Sequence, residues 1–132
     1  MNHEEYIVEL LRIFENCNDI EFHQDAVTEM NQLIIGTGYE SSFLKQFGKF
    51  IQMLSTYGFD AVKLKGFERL KDTNGLFSMR LCSSKYNIRI LYSILSDGKI
   101  LLHTFYEREG KSVSGYDKHI IIAEKRLSEM ED

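Results

Sequence analysis

Asp97-Gly98 separates two runs of apolar, β-branched and aromatic residues, and no other short segment of this 132-residue chain restricts its fold as tightly. An Asp-Gly pair between two such runs is the strongest short-range signal for an antiparallel hairpin. The flanking runs, residues 86–95 and 99–106, are therefore expected as strands, and residues 76–82 form a third, joined through Ser83-Ser84. A two-residue Asp-Gly turn pairs Ser96 with Lys99, and so sets Tyr92 against His103, Ile90 against Phe105 and Arg89 against Tyr106. Arg80 then pairs with Asn87, and Ser78 with Arg89. Because side chains alternate between faces, Phe77, Met79, Leu81, Ile88, Ile90, Tyr92, Ile94, Leu101, His103 and Phe105 share an apolar face. Ser78, Arg80, Asn87, Arg89 and Tyr106 share the opposite one.

Helical spacing of apolar residues marks the rest of the chain. Tyr6, Ile7, Leu10, Leu11 and Phe14 make a short amphipathic helix. Residues 19–22 are short and extended. A second helix carries Ala26, Val27, Met30, Leu33 and Ile34 and stops at Gly36. A third carries Phe43, Phe47, Phe50, Ile51, Leu54 and Tyr57, opens on a capping box of Thr37 and Glu40, and ends at Gly58. Residues 59–75 mix basic residues with apolar anchors, and 72–75 form a turn. A last helix spans about 116–130, with Ser114 or Asp117 as its cap. The expected fold is a single α+β domain over residues 1–132: helix, short strand, two helices, three-stranded antiparallel sheet, helix, with the helices covering one sheet face.

Two cysteines, Cys17 and Cys82, are too few for a disulfide framework or a metal motif and read as reduced. The N-terminus lacks the pattern of a secretory signal, and the most apolar stretch, residues 88–95, is short and contains Arg89. The expectation is a cytoplasmic protein without a membrane partner. Net charge is −4, unevenly spread: residues 1–59 carry −6 and residues 60–126 carry +5. A basic half inside an acidic chain reads either as a local phosphate-binding surface or as a mixed solvated one. The same split suggests that the acidic N-terminal helix shields the basic face.

The candidate binding surface is the polar sheet face. Arg80 and Arg89 there, with Arg108 and Lys111 in the loop beyond, present planar forks suited to phosphate oxygens. The competing reading is that both arginines are ordinary solvated strand residues. His103, on the apolar face, reads as a hydrogen-bonded core histidine or as a catalytic group.

Taken in order, Lys63-Leu-Lys65, Leu76-Phe-Ser-Met-Arg80, Ile88-Arg-Ile-Leu-Tyr92, Leu101-Leu-His-Thr-Phe105 with Arg108, and Ala123 in the last helix resemble the RelE/ParE/HigB superfamily of bacterial toxins, especially phage-associated HigB-like relatives. The resemblance covers residues 19–127 as a RelE-like domain and leaves 1–16 as an N-terminal helical extension. It implies the toxin of a type II toxin-antitoxin system, with a helix-turn-helix antitoxin as partner. It also implies a ribosome-dependent mRNA endoribonuclease in which the RNA 2′-hydroxyl attacks the adjacent phosphate. That chemistry needs a base, an acid and cations for the growing negative charge, and the family supplies them from basic side chains and a tyrosine, with no metal or other cofactor. Carried over position by position, Arg80, Arg89, Arg108 and Tyr116 are the implied catalytic residues, with Tyr116 the base through a lowered pKa. Lys63, Lys65, Asn87, Tyr106 and Lys111 are the implied RNA-binding residues. Glu107 and Ser78 depart from the pattern, since relatives place lysines there. Two alternatives share the fold: a ParE-like gyrase-binding toxin and a non-catalytic RelE-fold binding protein.

Overall fold

The computed structural model describes residues 1–107 and 113–130. It is an α+β fold with four α-helices and a five-stranded mixed sheet. In chain order the elements are α1 (His3–Glu15), β1 (Ile20–Phe22), α2 (Gln24–Ile34), α3 (Glu40–Tyr57), a 3-10 helix (Gly58–Lys63), β2 (Phe67–Arg69), β3 (Leu76–Cys82), β4 (Asn87–Leu95), β5 (Gly98–Tyr106) and α4 (Val113–Met130). The sheet order is β1-β5-β4-β3-β2. Two strands thus join the expected three. β1 pairs parallel with β5, and β2 pairs antiparallel with β3. β1 is the short strand expected at residues 19–22, here joined to the sheet; β2, three residues long and too short for a period-two pattern to show, has no counterpart in that expectation.

Helices cover both sheet faces, not one. On the first face Phe43, Phe47, Ile51 and Leu54 of α3 bury against Phe77, Met79, Leu81, Ile88, Ile90, Tyr92 and Leu101. The α1 helix lies outside α3 and adds Tyr6 and Leu10 to this core. Asn2 caps α1, accepting from Glu5 N at 2.8 Å while its own N–H donates to the Glu5 carboxylate at 3.1 Å. So α1 packs on the side of the sheet away from Arg89 and does not shield it. On the second face α4 lays Ala123 and Leu127 over Leu76, Leu91, Ile100, Leu102 and Phe105. A sheet face expected to meet solvent is largely a second core.

The strand registers differ from expectation in a way that has a physical cause. Ser96 and Asp97 make the turn, and Leu95 pairs with Gly98. Gly98 is needed for a different reason: a Cβ there would sit 2.7 Å from the Asp19 carbonyl oxygen, where β1 comes alongside. This slip of two residues keeps every side chain on its expected face. Farther along, a bulge flips them. Tyr92 pairs with Leu101 but Leu91 pairs with His103, so Leu102 has no opposite number. His103 and Phe105 therefore join the face of Arg89, while Thr104 and Tyr106 move to the face of α3. Arg89 stands opposite Phe105, and Tyr106 opposite Ile88. In the β3–β4 hairpin Ser83 N donates to Tyr86 O at 2.9 Å, which puts the two-residue turn at Ser84-Lys85, one position later than expected, and sets Arg80 opposite Arg89 and Ser78 opposite Leu91.

Helix ends follow the sequence with two exceptions. Thr37 and Glu40 make no capping box: Thr37 Oγ1 donates to Ile34 O, and the Glu40 carboxylate accepts from Gly36 N at 2.7 Å. The α4 helix begins at Val113, ahead of both expected caps.

Candidate phosphate-binding site

Arg80 and Arg89 lie directly opposite each other on β3 and β4, yet their surroundings differ. Arg80 is exposed, and its Nε donates to Asn87 Oδ1 at 3.0 Å. The Arg89 side chain is only 11% exposed and its donors are engaged. Nε and Nη2 hold the Glu107 carboxylate at 2.6 and 3.0 Å, a bidentate pair. Nη1 donates to Glu68 and to Ser78 Oγ, both at 2.8 Å. The Tyr116 ring of α4 packs 5.5 Å from the guanidinium carbon. Burial disfavours the Arg89 charge, but Glu107, Tyr116 and Glu68 outweigh it and raise the pKa further. The guanidinium is a fixed cation balanced by two carboxylates.

The pKa of Tyr116 differs in direction from expectation. Burial is the largest influence and pushes the phenol up, against a hydrogen bond from Ser78 and the nearby Arg89 charge. The direction is the reverse of the lowered pKa expected of a base.

Asn87 is the hinge of the site. Its Nδ2 donates to Glu107 O at 2.8 Å, its main-chain carbonyl accepts from Glu107 N at 2.9 Å, and its Oδ1 holds Arg80. Tyr106 is exposed on the other face, but it meets Arg80, Lys85, Asn87 and Glu107 around a shallow cleft at the end of the sheet. Lys63 is exposed on the 3-10 helix and lies 3.5 Å from Asp60, outside the Arg89 cluster. Lys65 is exposed beside Gly66, whose carbonyl accepts from Arg80 N at 2.7 Å, so it stands near the β2–β3 edge. Arg108 and Lys111 lie outside the described residues.

A second polar cluster is centred on Glu29 and His103; His103 is the buried, hydrogen-bonded histidine that the sequence offered as one reading, while Glu29, Arg126 and His119 have no counterpart there. The Glu29 carboxylate of α2 accepts from Thr104 N at 3.1 Å, from both Nη atoms of Arg126 at 2.9 Å and from His103 Nδ1 at 3.0 Å. His103 Nε2 lies 2.8 Å from His119 Nδ1, and His119 stacks on Phe105 at 3.8 Å. Carboxylate oxygens only accept, so His103 Nδ1–H donates to Glu29. Burial opposes ionisation of Glu29, but His103, Arg126 and Thr104 hold its pKa down to about 2. The cluster clasps α2 and α4 to β5, and its Glu29 carboxylate supplies an acceptor for the Thr104 N–H, which lies beyond the end of the β1–β5 pairing. Glu29 stands 74 residues from His103, beyond the reach of any local pattern.

Among the described residues, no group of three or more His, Cys, Asp or Glu side chains is arranged to hold a metal ion, and no helix is long and apolar enough to cross a membrane. No family model matches the sequence, and neither curated proteins nor solved structures give a match to it.

Proposed function

We propose that this protein is a RelE/HigB-like toxin that acts on mRNA at the ribosome, with Arg80 and Arg89 as its phosphate-binding pair and a helix-turn-helix antitoxin as its partner. The observation that carries the reading is the direct cross-strand register of the two arginines. Like charges placed directly opposite are unfavourable unless an anion lies between or beside them. Here Glu107 supplies one for Arg89, and among the described residues the Arg80 side chain hydrogen-bonds to the neutral amide of Asn87 alone. An RNA backbone satisfies such a pair. The order of short strand, two helices, antiparallel strands and C-terminal helix also agrees with the resemblance. In this reading Arg89 carries charge on the reacting phosphate, Arg80 holds a flanking one, and Tyr116 stays protonated and stacks on Arg89. Asn87 and the exposed Lys65 lie along the strand path, and the remaining basic residues, Lys63, Arg108 and Lys111, are assigned to the backbone by resemblance alone.

A non-catalytic binding role is the second reading. The two carboxylates on Arg89 and the raised pKa of Tyr116 favour it. Mapping of mRNA 5′ ends after tightly controlled induction separates the two, beside an Arg80→Ala/Arg89→Ala control. New cuts that need active translation and vanish in the control support the nuclease. Absence of cuts from folded protein sinks it, and DNA-damage signalling in their place moves the assignment to gyrase.

A further inference from the structure

The Arg89 fork is already filled by an oxyanion of the chain itself. We infer that Arg89 is a seat for a bidentate oxyanion which Glu107 occupies in the free protein, and that an RNA phosphodiester takes this seat by exchanging with the Glu107 carboxylate. The inference rests on the reading of the face as RNA-directed and adds how ligand reaches it.

Three observations carry it. The first is the match of geometry. Glu107 binds through two parallel contacts, Nε to Oε2 at 2.6 Å and Nη2 to Oε1 at 3.0 Å, the fork-to-fork arrangement that phosphate oxygens also adopt. The second is that the Glu107 main chain is held while its carboxylate lies beside a cleft. Asn87 pins the Glu107 main chain on both its N–H and its carbonyl. The Glu107 side chain is 18% exposed and borders the cleft shared with Arg80 and Tyr106. The third is that an exchange never strands the buried cation. Removing one partner from a buried pair is strongly unfavourable, whereas swapping one oxyanion for another is not. The Tyr116 ring covers Arg89 from α4, so the ligand enters from the Glu107 side. Arg80, exposed and directly across the strand pair, offers a second cation to a neighbouring phosphate, which favours a nucleic-acid backbone over an isolated carboxylate.

Glu68 provides the control. It also pairs with Arg89 and carries the same charge, but it takes only Nη1 and is 57% exposed. The experiment measures binding of a 2′-O-methylated heptaribonucleotide, which cannot be cleaved, to the full chain by fluorescence anisotropy. Glu107→Gln is expected to bind at least about tenfold tighter, the scale of one charge-assisted pair. Glu68→Gln is expected to gain no more than about twofold, as a screened surface charge does. Glu107→Asp keeps the charge, shortens the reach, and is expected to bind tighter than wild type; it stands in should Glu107→Gln fold poorly. Adding Arg89→Lys to Glu107→Gln is expected to abolish the gain. Equal gains from the Glu107→Gln and Glu68→Gln variants, or no gain from either Glu107 variant, overturns the exchange. Tighter binding of a poly-glutamate heptapeptide than of the RNA by Glu107→Gln overturns the ligand class. Translation-dependent mRNA cuts without any affinity gain leave the proposed function standing and remove this inference; absence of both cuts and RNA binding removes both.

Discussion

Arg80 and Arg89 face each other across β3 and β4, but only Arg89 is built into the fold, held by Glu107, Glu68 and Ser78. Replacing either arginine therefore has different consequences. Arg89→Ala leaves the largely covered Glu107 carboxylate without its cation and is expected to cost about 2–4 kcal/mol. Arg80→Ala removes an exposed side chain with one amide contact and is expected to cost under about 0.5 kcal/mol. Urea unfolding of the two variants checks this; equal stabilities contradict the assignment of Arg89 as a structural as well as a ligand-facing cation.

Glu29 predicts the acid limit of the fold. Its pKa in the folded protein, about 2, lies below its ordinary value of 4.5. A carboxylate lowered on folding contributes stability that is fully present above the unfolded value and is lost as pH falls through the folded one. Stability should therefore decline between about pH 4.5 and 2 as Glu29 is protonated and the clasp on His103 and Arg126 opens. Asp19 adds to the same slope: burial opposes its ionisation, but Lys99 and Ser55 lower its pKa. Glu29→Gln should melt about 5–10 °C below wild type at pH 7 and show a shallower acid slope. Thermal unfolding followed across pH tests both, and a slope equal to wild type rules out Glu29 as a principal contributor.

Much of this architecture is legible locally. The strand spans of β3, β4 and β5 and the buried stripes of α2 and α3 follow from periodicity, and the burial of Phe43, Phe47, Ile51 and Leu54 agrees with it. The bulge at Leu102 is not legible, because Leu101-Leu102-His103 satisfies an alternating pattern in either register. That single residue decides that His103 and Phe105 face α4 and that Tyr106 leaves the side of Arg89. The site partners are hidden for another reason. Glu68 and Glu107 reach Arg89 from 21 and 18 residues away, and their pairing depends on β2, a strand of three residues, and on the correct β4–β5 register. Glu107 carried one visible signal, an acid immediately after a strand where the resemblance places a lysine.

Gly98 makes the junction of β1 and β5 testable. The glycine stands where its missing Cβ would lie 2.7 Å from Asp19 O, and the obstructing atom is backbone, so relief requires β1 to move. Gly98→Ala is expected to cost about 1–3 kcal/mol, as overpacking does. It should also speed amide exchange at Lys99, whose N–H donates to Asp19 O at 2.8 Å. Unchanged exchange at Lys99 shows that the approach of β1 is looser than described.

The N-terminal helix is a part of the main core, and its removal is predicted to harm folding, not to release a covered RNA site. Tyr6 and Leu10 are buried with Phe43, Phe47 and Ile51, on the side of the sheet opposite Arg89. Leu10→Ala removes a packed aliphatic side chain and is expected to cost about 2–4 kcal/mol. Deleting residues 1–16 uncovers the outer face of α3 and should abolish cooperative unfolding or drive aggregation. Calorimetry on both variants, with RNA affinity measured on Leu10→Ala, decides between the roles. A folded, stable deletion variant with raised RNA affinity restores α1 as a shield; an unfolded one, beside unchanged affinity in Leu10→Ala, places α1 in the scaffold alone.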